Sequence, residues 1–173
     1  MKLYPAFLGL LLLGAGACAT TPPSGQTSGA AAPTGLIDRY DEKALRDIFT
    51  ELKYAVVDSS VSSSGKPFMT VDASDELSFR VMGESCDGEG ASQVCLGVQL
   101  STQFAEAGDV DFDAVMATAN RTLRPAKLFR IDSGLAYERY LIMDGGVSRE
   151  NLKTNISVYV EVLQAIYGQL FPG

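Results

Sequence analysis

The stretch that decides the fold is residues 76–100, ELSFRVMGESCDGEGASQVCLGVQL. Apolar residues alternate with polar residues on both sides of an acidic, glycine-rich segment. The alternating positions are Leu77, Phe79 and Val81 before that segment, and Val94, Leu96, Val98 and Leu100 after it. Because a period of two turns one face of a strand toward the core, the pattern predicts half-buried strands over 76–82 and 94–100. The segment between them is predicted to be a turn that makes the two strands antiparallel neighbours.

Outside this hairpin, periodicity predicts three helices and four further strands. Leu45, Ile48, Phe49 and Leu52 recur at helical spacing and form one apolar stripe. Ser148 is a favoured N-cap and opens the longest predicted helix. The helices are predicted over 41–54, 111–123 and 148–170, and the further strands over 55–57, 68–71, 127–131 and 135–143. The order α-β-β-β-β-α-β-β-α indicates an α+β domain, an antiparallel sheet with flanking helices.

The N-terminus has the three parts of a secretory signal peptide. Met1 and Lys2 give a short positive start, residues 3–13 are almost wholly apolar, and small residues follow. The apolar run is too short for a transmembrane anchor, which needs about 18 or more apolar residues. We therefore expect a signal peptide over 1–17 and export of the remaining chain.

The segment Ala15-Gly16-Ala17-Cys18 resembles a lipobox, although Ala15 stands where a lipobox usually has Leu. This resemblance implies a diacylglyceryl group on Cys18 as the new N-terminus. Lipidation would also remove the odd thiol from a chain with three cysteines. The next residue is Ala19 and not Asp, which implies the outer membrane as the destination of the lipoprotein. The alternative is cleavage after Ala17 or Ala19 without a lipid, which would give a soluble periplasmic or secreted protein.

Residues 18–35 contain no charge and consist mainly of Pro, Gly, Ser, Thr and Ala. This composition predicts a flexible tether, and residues 36–173 have the size of one domain. The chain carries 14 Lys and Arg against 21 Asp and Glu, a formal net charge of −7. This negative charge argues against binding to nucleic acid and against binding through anionic lipid headgroups. The predicted contact with a membrane is therefore only the lipid on Cys18.

Cys86 and Cys95 lie nine positions apart, around the predicted turn. A zinc site usually has four Cys or His ligands, and this chain has no His. A thioredoxin-like site has Cys-x-x-Cys spacing, which differs from the spacing here. Antiparallel neighbours joined by a turn bring such cysteines close together, and exported proteins permit disulfides. The spacing favours a structural disulfide, while free thiols and a redox switch stay open as alternatives.

Three aspartates at alternate positions, Asp109, Asp111 and Asp113, imitate the start of a calcium-binding loop. An EF-hand also needs Gly at the sixth loop position and Glu at the twelfth. Those positions hold Ala114 and Asn120. The acidic residues are therefore predicted to cap and charge the N-terminus of the second helix, and we predict no metal site.

Signals for catalysis are weak in this sequence. Ser63 and Lys66 match the Ser-x-x-Lys pattern of penicillin-recognising enzymes, but they lie in a Gly-Pro turn and not at a helix start. A Ser-His-Asp triad is excluded because the chain has no His. Asp72, Asp75 and Glu76 form a carboxylate cluster in sequence, for which the pattern favours a solvated turn. We predict no catalytic residue, no cofactor and no enzyme activity.

Five segments of the chain follow one another in a recognisable order: LRDIFTELKYAVV, KPFMTVDASDELSFRVMGESCDG, VCLGVQLSTQF, ANRTLRPAKLFRID and MDGGVSRENL. Together they resemble the YbjN domain family, described as bacterial sensory transduction regulators, over about residues 45–169. The resemblance implies a fold similar to type III secretion chaperones, no enzyme activity, no cofactor, and a role in binding protein, alone or as a homodimer. Secretion chaperones act in the cytosol, whereas this chain has an export signal, so a literal export-chaperone role is not implied.

The tyrosines on predicted strands and helices, Tyr137, Tyr140, Tyr159 and Tyr167, have two interpretations. They are core residues with a hydroxyl in water, or they form an aromatic surface for protein contact. The last helix has a wider apolar face than one sheet layer needs, so Tyr159, Leu163 and Tyr167 are the candidate protein-contact residues. We expect an envelope protein that binds an unidentified envelope protein or a second copy of itself. The alternative is a small-ligand sensor or carrier with an apolar pocket between helix and sheet.

Overall fold

The strands of this protein form one large sheet and one small sheet. The computed structural model describes residues 35–105, 110–123 and 127–171, all of which belong to one unit of the chain. The strands are β1 (Leu36–Ile37), β2 (Ala55–Val61), β3 (Pro67–Asp72), β4 (Ser78–Asp87), β5 (Val94–Ala105), β6 (Lys127–Ile131), β7 (Gly134–Ile142) and β8 (Val147–Ser148). The helices are α1 (Glu42–Leu52), α2 (Phe112–Thr122) and α3 (Arg149–Leu170), with a short 3-10 turn at Gly90–Ser92.

The large sheet has six antiparallel strands in the order β2-β3-β4-β5-β7-β6. The hairpin of β4 and β5 lies at its centre, where Val81 is paired with Leu100. Strand β7 pairs with β5 along its whole length, from Gly134 to Ile142. Strands β1 and β8 form the small sheet, which joins the beginning of the described domain to the start of α3.

Polar side chains fix where each helix begins. Asp41, Asp111 and Ser148 each accept a hydrogen bond from the backbone N–H three residues later, at 3.0, 3.0 and 3.1 Å. These bonds satisfy donors that have no partner inside the first turn of a helix. Helix α1 ends at Leu52. The next residue, Lys53, has a left-handed conformation (φ 62°), which lets the N–H of Tyr54 donate back to the Phe49 carbonyl at 2.9 Å. The capping roles predicted for Asp111 and Ser148 are confirmed.

One face of the large sheet and the apolar sides of the three helices share a single core. Alternate strand residues point into it, as the period of two requires. Buried strand residues of this core include Met69, Val71, Phe79, Val81, Val98, Leu100, Leu128, Leu135 and Tyr137. Helix α3 contacts α1, α2 and β5. Its apolar residues are therefore needed on several sides of the helix and not on one stripe alone.

The predicted α+β class and element order are confirmed, with differences at the ends of strands. Strand β4 continues to Asp87 and β5 to Ala105 because main-chain pairing goes on through polar residues that show no alternation. The small sheet of β1 and β8 was not predicted, since a strand of two residues is too short to show a period.

Candidate functional site

The two cysteines of the central hairpin are joined. Cys86 and Cys95 face each other near the turn that connects β4 to β5, with Cα atoms 3.8 Å apart and sulfurs 2.11 Å apart. Cys95 is almost fully buried. Gly83 makes room for it, because a Cβ at that position would stand 2.9 Å from the Cys95 Sγ. The two sulfurs are therefore at disulfide-bonding distance, in a pair that links two neighbouring strands.

The prediction that Tyr159 and Leu163 contact a partner is wrong. Both side chains are 0% exposed and lie in the core. The Tyr159 ring stacks on Tyr137 with centroids 4.6 Å apart, and its hydroxyl donates to the Thr102 Oγ1 at 3.1 Å. Tyr167 is half-buried and packs against the same core. The wide apolar face of α3 is used inside the domain, because this helix packs on the sheet and on two other helices.

The sheet face away from the helices carries apolar side chains at its surface. Phe68, Met82, Gln99 and Tyr140 are paired in turn across β3, β4, β5 and β7, and we call these four residues the cross-strand row. Tyr140 is 48% exposed, and Ile142, two residues further along β7, is 68% exposed. The other three members of the row are half-buried. Because neighbouring strands lie about 4.8 Å apart, the row extends over about 14 Å.

Tyr140 is held flat across the sheet. Its hydroxyl shares a hydrogen bond of 2.9 Å with the Ser85 Oγ, two strands away. The ring passes over Gly97, where a Cβ would stand 2.2 Å from the Tyr140 hydroxyl oxygen. Ser85 has φ 51°, a left-handed conformation that is uncommon for serine. An exposed ring that is already fixed in one orientation loses little entropy when a partner covers it.

Charged side chains lie beside the aromatic rings of this face. The Arg80 guanidinium carbon is 4.9 Å from the ring centroid of Phe68, and the Lys127 Nζ is 5.2 Å from that of Phe129. The row next to the cross-strand row is polar, and it comprises Thr70, Arg80, Ser101, Glu138 and Lys127. The cross-strand row therefore places three large apolar or aromatic side chains, interrupted by Gln99, beside a polar row. Protein interfaces combine such an apolar centre with a polar rim.

A second feature lies on the helix side of β7. An open pocket of about 350 Å³ forms where the end of this strand meets β8 and the first turns of α3. The Arg139 Nη2 donates a hydrogen bond to the Asn155 Oδ1, while the Arg139 Nη1 is buried without a hydrogen-bond partner in the described residues. Burial lowers the pKa of the Arg139 guanidinium. The residues that line the pocket are Arg139, Tyr140, Leu141, Ile142, Met143, Val147, Asn151, Leu152 and Asn155.

The remaining motifs of the sequence take part in structural contacts. The Lys66 ammonium pairs with the Glu84 carboxylate, so it is not directed at Ser63. Asp75 and Glu76 are exposed in the turn before β4. Within the ranges that the structure describes, no group of three or more His, Cys, Asp or Glu residues is arranged to hold a metal. Asp109 of the calcium-like pattern lies outside those ranges.

Cys18, the predicted signal peptide and the predicted tether up to residue 34 lie outside the described residues. In the part of the chain that is described, no helix is both long and apolar enough to cross a membrane. Export and lipidation therefore stay predictions from the sequence.

The sequence carries a signal for Arg139 and Ile142 but none for Met82. In the strand predicted over 135–143, the positions that share a face with Tyr137 are apolar except for Arg139. Ile142 lies on the opposite face, where alternation leads one to expect a polar residue. Both residues break the alternation that identified the strand.

Comparison of the chain with protein-family models, curated proteins and solved structures gives no match. The resemblance to YbjN domains therefore stays a prediction.

Proposed function

We propose that this protein is a non-enzymatic exported binding protein that engages a protein partner on the open face of its sheet. Tyr140 is the observation that carries the proposal, because its exposed ring is held over Gly97 by the bond to Ser85, with the exposed Ile142 beside it. Buried aromatic anchors supply much of the energy of protein interfaces. Attachment through Cys18 and membership in the YbjN domain family belong to the same proposal, and that family's protein-binding role supports it.

The cross-strand row suits an amphipathic helix of the partner. The row runs across the strands for about 14 Å, which is the length of about nine residues of helix. A helix laid along it would place its apolar stripe on Phe68, Met82 and Tyr140. Its polar side would then face the neighbouring row, where Arg80 and Glu138 offer both signs of charge.

The edges of the sheet are less suited to a partner that adds a strand. At β6, the side chain of Asn120 accepts a hydrogen bond from the Leu128 N–H at 2.9 Å and donates one to the Leu128 carbonyl at 2.7 Å. At β2, the register shifts between Val56 and Asp58, and this irregularity and the charge of Asp58 oppose regular pairing. The Asn120 hydrogen bonds and the irregular register of β2 each protect an edge strand from further pairing. The open face of the sheet is therefore the better contact surface.

Site-specific photo-crosslinking in the native envelope tests the proposal. Benzoylphenylalanine replaces Ile142 in one sample and Val61, on the edge strand β2, in a matched control. Ile142 is 68% exposed and Val61 is 65% exposed, so the two positions differ in location and hardly in accessibility. We expect one dominant protein adduct from position 142, absent from position 61 and lost when Tyr140→Glu is added.

Equal adducts from both positions, or none from position 142, would contradict the proposal. An adduct with the mass of two chains would identify the partner as a second copy. Circular dichroism has to show that Tyr140→Glu folds. Because this variant loses the bond to Ser85 and the packing over Gly97, we expect it to be less stable by about 1 kcal/mol. Substitutions at Tyr159 or Leu163 are unsuitable here, because a charge placed in the core would unfold the domain.

A further inference from the structure

The pocket at the end of β7 contains Arg139, a cation for which the described residues supply no counter-ion. No Asp or Glu of the described residues forms an ion pair with Arg139. Its hydrogen-bond acceptor, Asn155, is a neutral amide. The nitrogen of that amide is already used, because it donates to the backbone and side-chain oxygens of Asn151 at 2.8 and 2.9 Å. This network points the Asn155 oxygen at Arg139 and supplies no negative charge.

Arg139 is half-buried, so part of its guanidinium keeps contact with water, while its Nη1 is shielded from solvent. A charged group that is removed from water needs a partner of opposite charge and a full set of hydrogen bonds. The buried Nη1 of Arg139 has no partner in the described residues. An unsatisfied buried donor in a native protein calls for an explanation, and an absent ion or ligand is one of the common explanations. A methionine at this position would continue the apolar side of β7 and leave no such donor.

We propose that this pocket binds a short amphiphilic monocarboxylate, with its carboxylate on Arg139 and its hydrocarbon tail against Leu141, Met143 and Val147. Among the described lining residues, Arg139 is the one charged side chain, so the site matches a single negative charge better than a phosphate dianion. The volume of about 350 Å³ lies near the lower end for ligand pockets, which favours a short tail. This inference goes beyond the protein-binding proposal and can be tested without a protein partner.

Isothermal titration of residues 19–173 with sodium octanoate tests the inference, with 1-octanol as the uncharged probe of equal length. Starting at Ala19 keeps the tether and the whole domain and removes the acyl chains of the protein's own anchor. We expect saturable binding of octanoate and at least tenfold weaker binding of 1-octanol. Equal affinity for the two probes, or no binding of octanoate, would overturn the assignment of a carboxylate site.

Two variants separate a role in binding from a role in folding. Arg139→Met keeps most of the side-chain volume and removes the charge, and Asn155→Asp supplies an internal carboxylate at the position that already contacts Arg139. We expect each to weaken octanoate binding at least tenfold while the melting temperature stays the same or rises. Arg121→Met, at an exposed position of α2, is the control and is expected to bind octanoate like the unmodified chain.

Unchanged octanoate affinity in Arg139→Met, with the fold intact, would overturn the inference. The inference would also be overturned if a short peptide with a C-terminal leucine bound more tightly than octanoate and its binding depended on Arg139. The ligand would then be a peptide terminus. Retained octanoate binding in Asn155→Asp would equally count against Arg139 as the counter-ion.

Discussion

Reduction of the Cys86–Cys95 disulfide is expected to lower the free energy of unfolding by about 2.7 kcal/mol. The two cysteines are nine positions apart, so the bond closes a loop of about ten residues. In the loop-entropy model, such a loop restricts the unfolded chain by about 9 cal/mol/K, which is about 2.7 kcal/mol at 25 °C. A domain of about 140 residues has an unfolding entropy of about 0.29 kcal/mol/K, so the melting temperature should fall by about 9 °C.

Urea unfolding followed by circular dichroism, with and without a phosphine reductant, measures this difference. The protein should carry the Cys18→Ser substitution, because Cys86 and Cys95 are then its only cysteines. A Cys86→Ala, Cys95→Ala variant is the control, and its unfolding midpoint should not respond to the reductant. Equal midpoints in both conditions, or two free thiols in the protein purified from an oxidising compartment, would refute the reasoning.

Three further predictions concern single features of the fold. Gly97→Ala forces the Tyr140 ring off the sheet, so we expect a loss of about 1 kcal/mol or less in urea unfolding but a clear loss of crosslinks at the open face. Ser148→Ala removes the N-cap of α3 and should cost about 1 kcal/mol in the same assay, with Ser148→Asp restoring most of it. Burial raises the pKa values of Tyr137 and Tyr159, so the stability they contribute is present below pH 10 and is lost as pH rises toward their folded values. Six of the seven tyrosines follow the predicted signal peptide. In residues 19–173, absorbance at 295 nm should therefore show fewer than six tyrosines ionising before the protein unfolds, and ionisation of all six in folded protein would contradict this.

The fold was predictable because alternation and helical spacing extend over most of the domain. The hairpin of β4 and β5 shows the period of two on both sides of its turn, and Ser148 marks the start of α3 by its own chemistry. Periodicity assigns a residue to a face, but it does not say which elements will cover that face. The apolar residues of α3 were therefore read as a surplus, although α1 and α2 also pack on this helix.

Periodicity also does not distinguish an exposed tyrosine from a buried one, and the prediction of Tyr159 as a contact residue failed for this reason. Tyr140 and Tyr159 are chemically identical, and both lie on regular elements. Tyr159 lies where sheet and helices meet and is 0% exposed, while Tyr140 lies on the uncovered face and is 48% exposed. Tyr140 is fixed by its packing over Gly97, which has no side chain, and by its hydrogen bond to Ser85. Neither contact can be predicted from the sequence unless the register of β4, β5 and β7 is known.

Both proposed sites arise on the last residues of β7, which depart from the pattern that made the strand recognisable. Arg139 occupies a core-side position where an apolar residue would satisfy the fold, and Ile142 occupies a solvent-side position where a polar residue would. Residues that break a local rule without helping the fold are the ones expected to serve function. Because Arg139 and Tyr140 are consecutive, their side chains project to opposite sides of the sheet. The pocket lining nevertheless includes Tyr140 and Ile142 beside Arg139. The Arg139→Met and Tyr140→Glu variants, each measured in both assays, therefore separate the two sites.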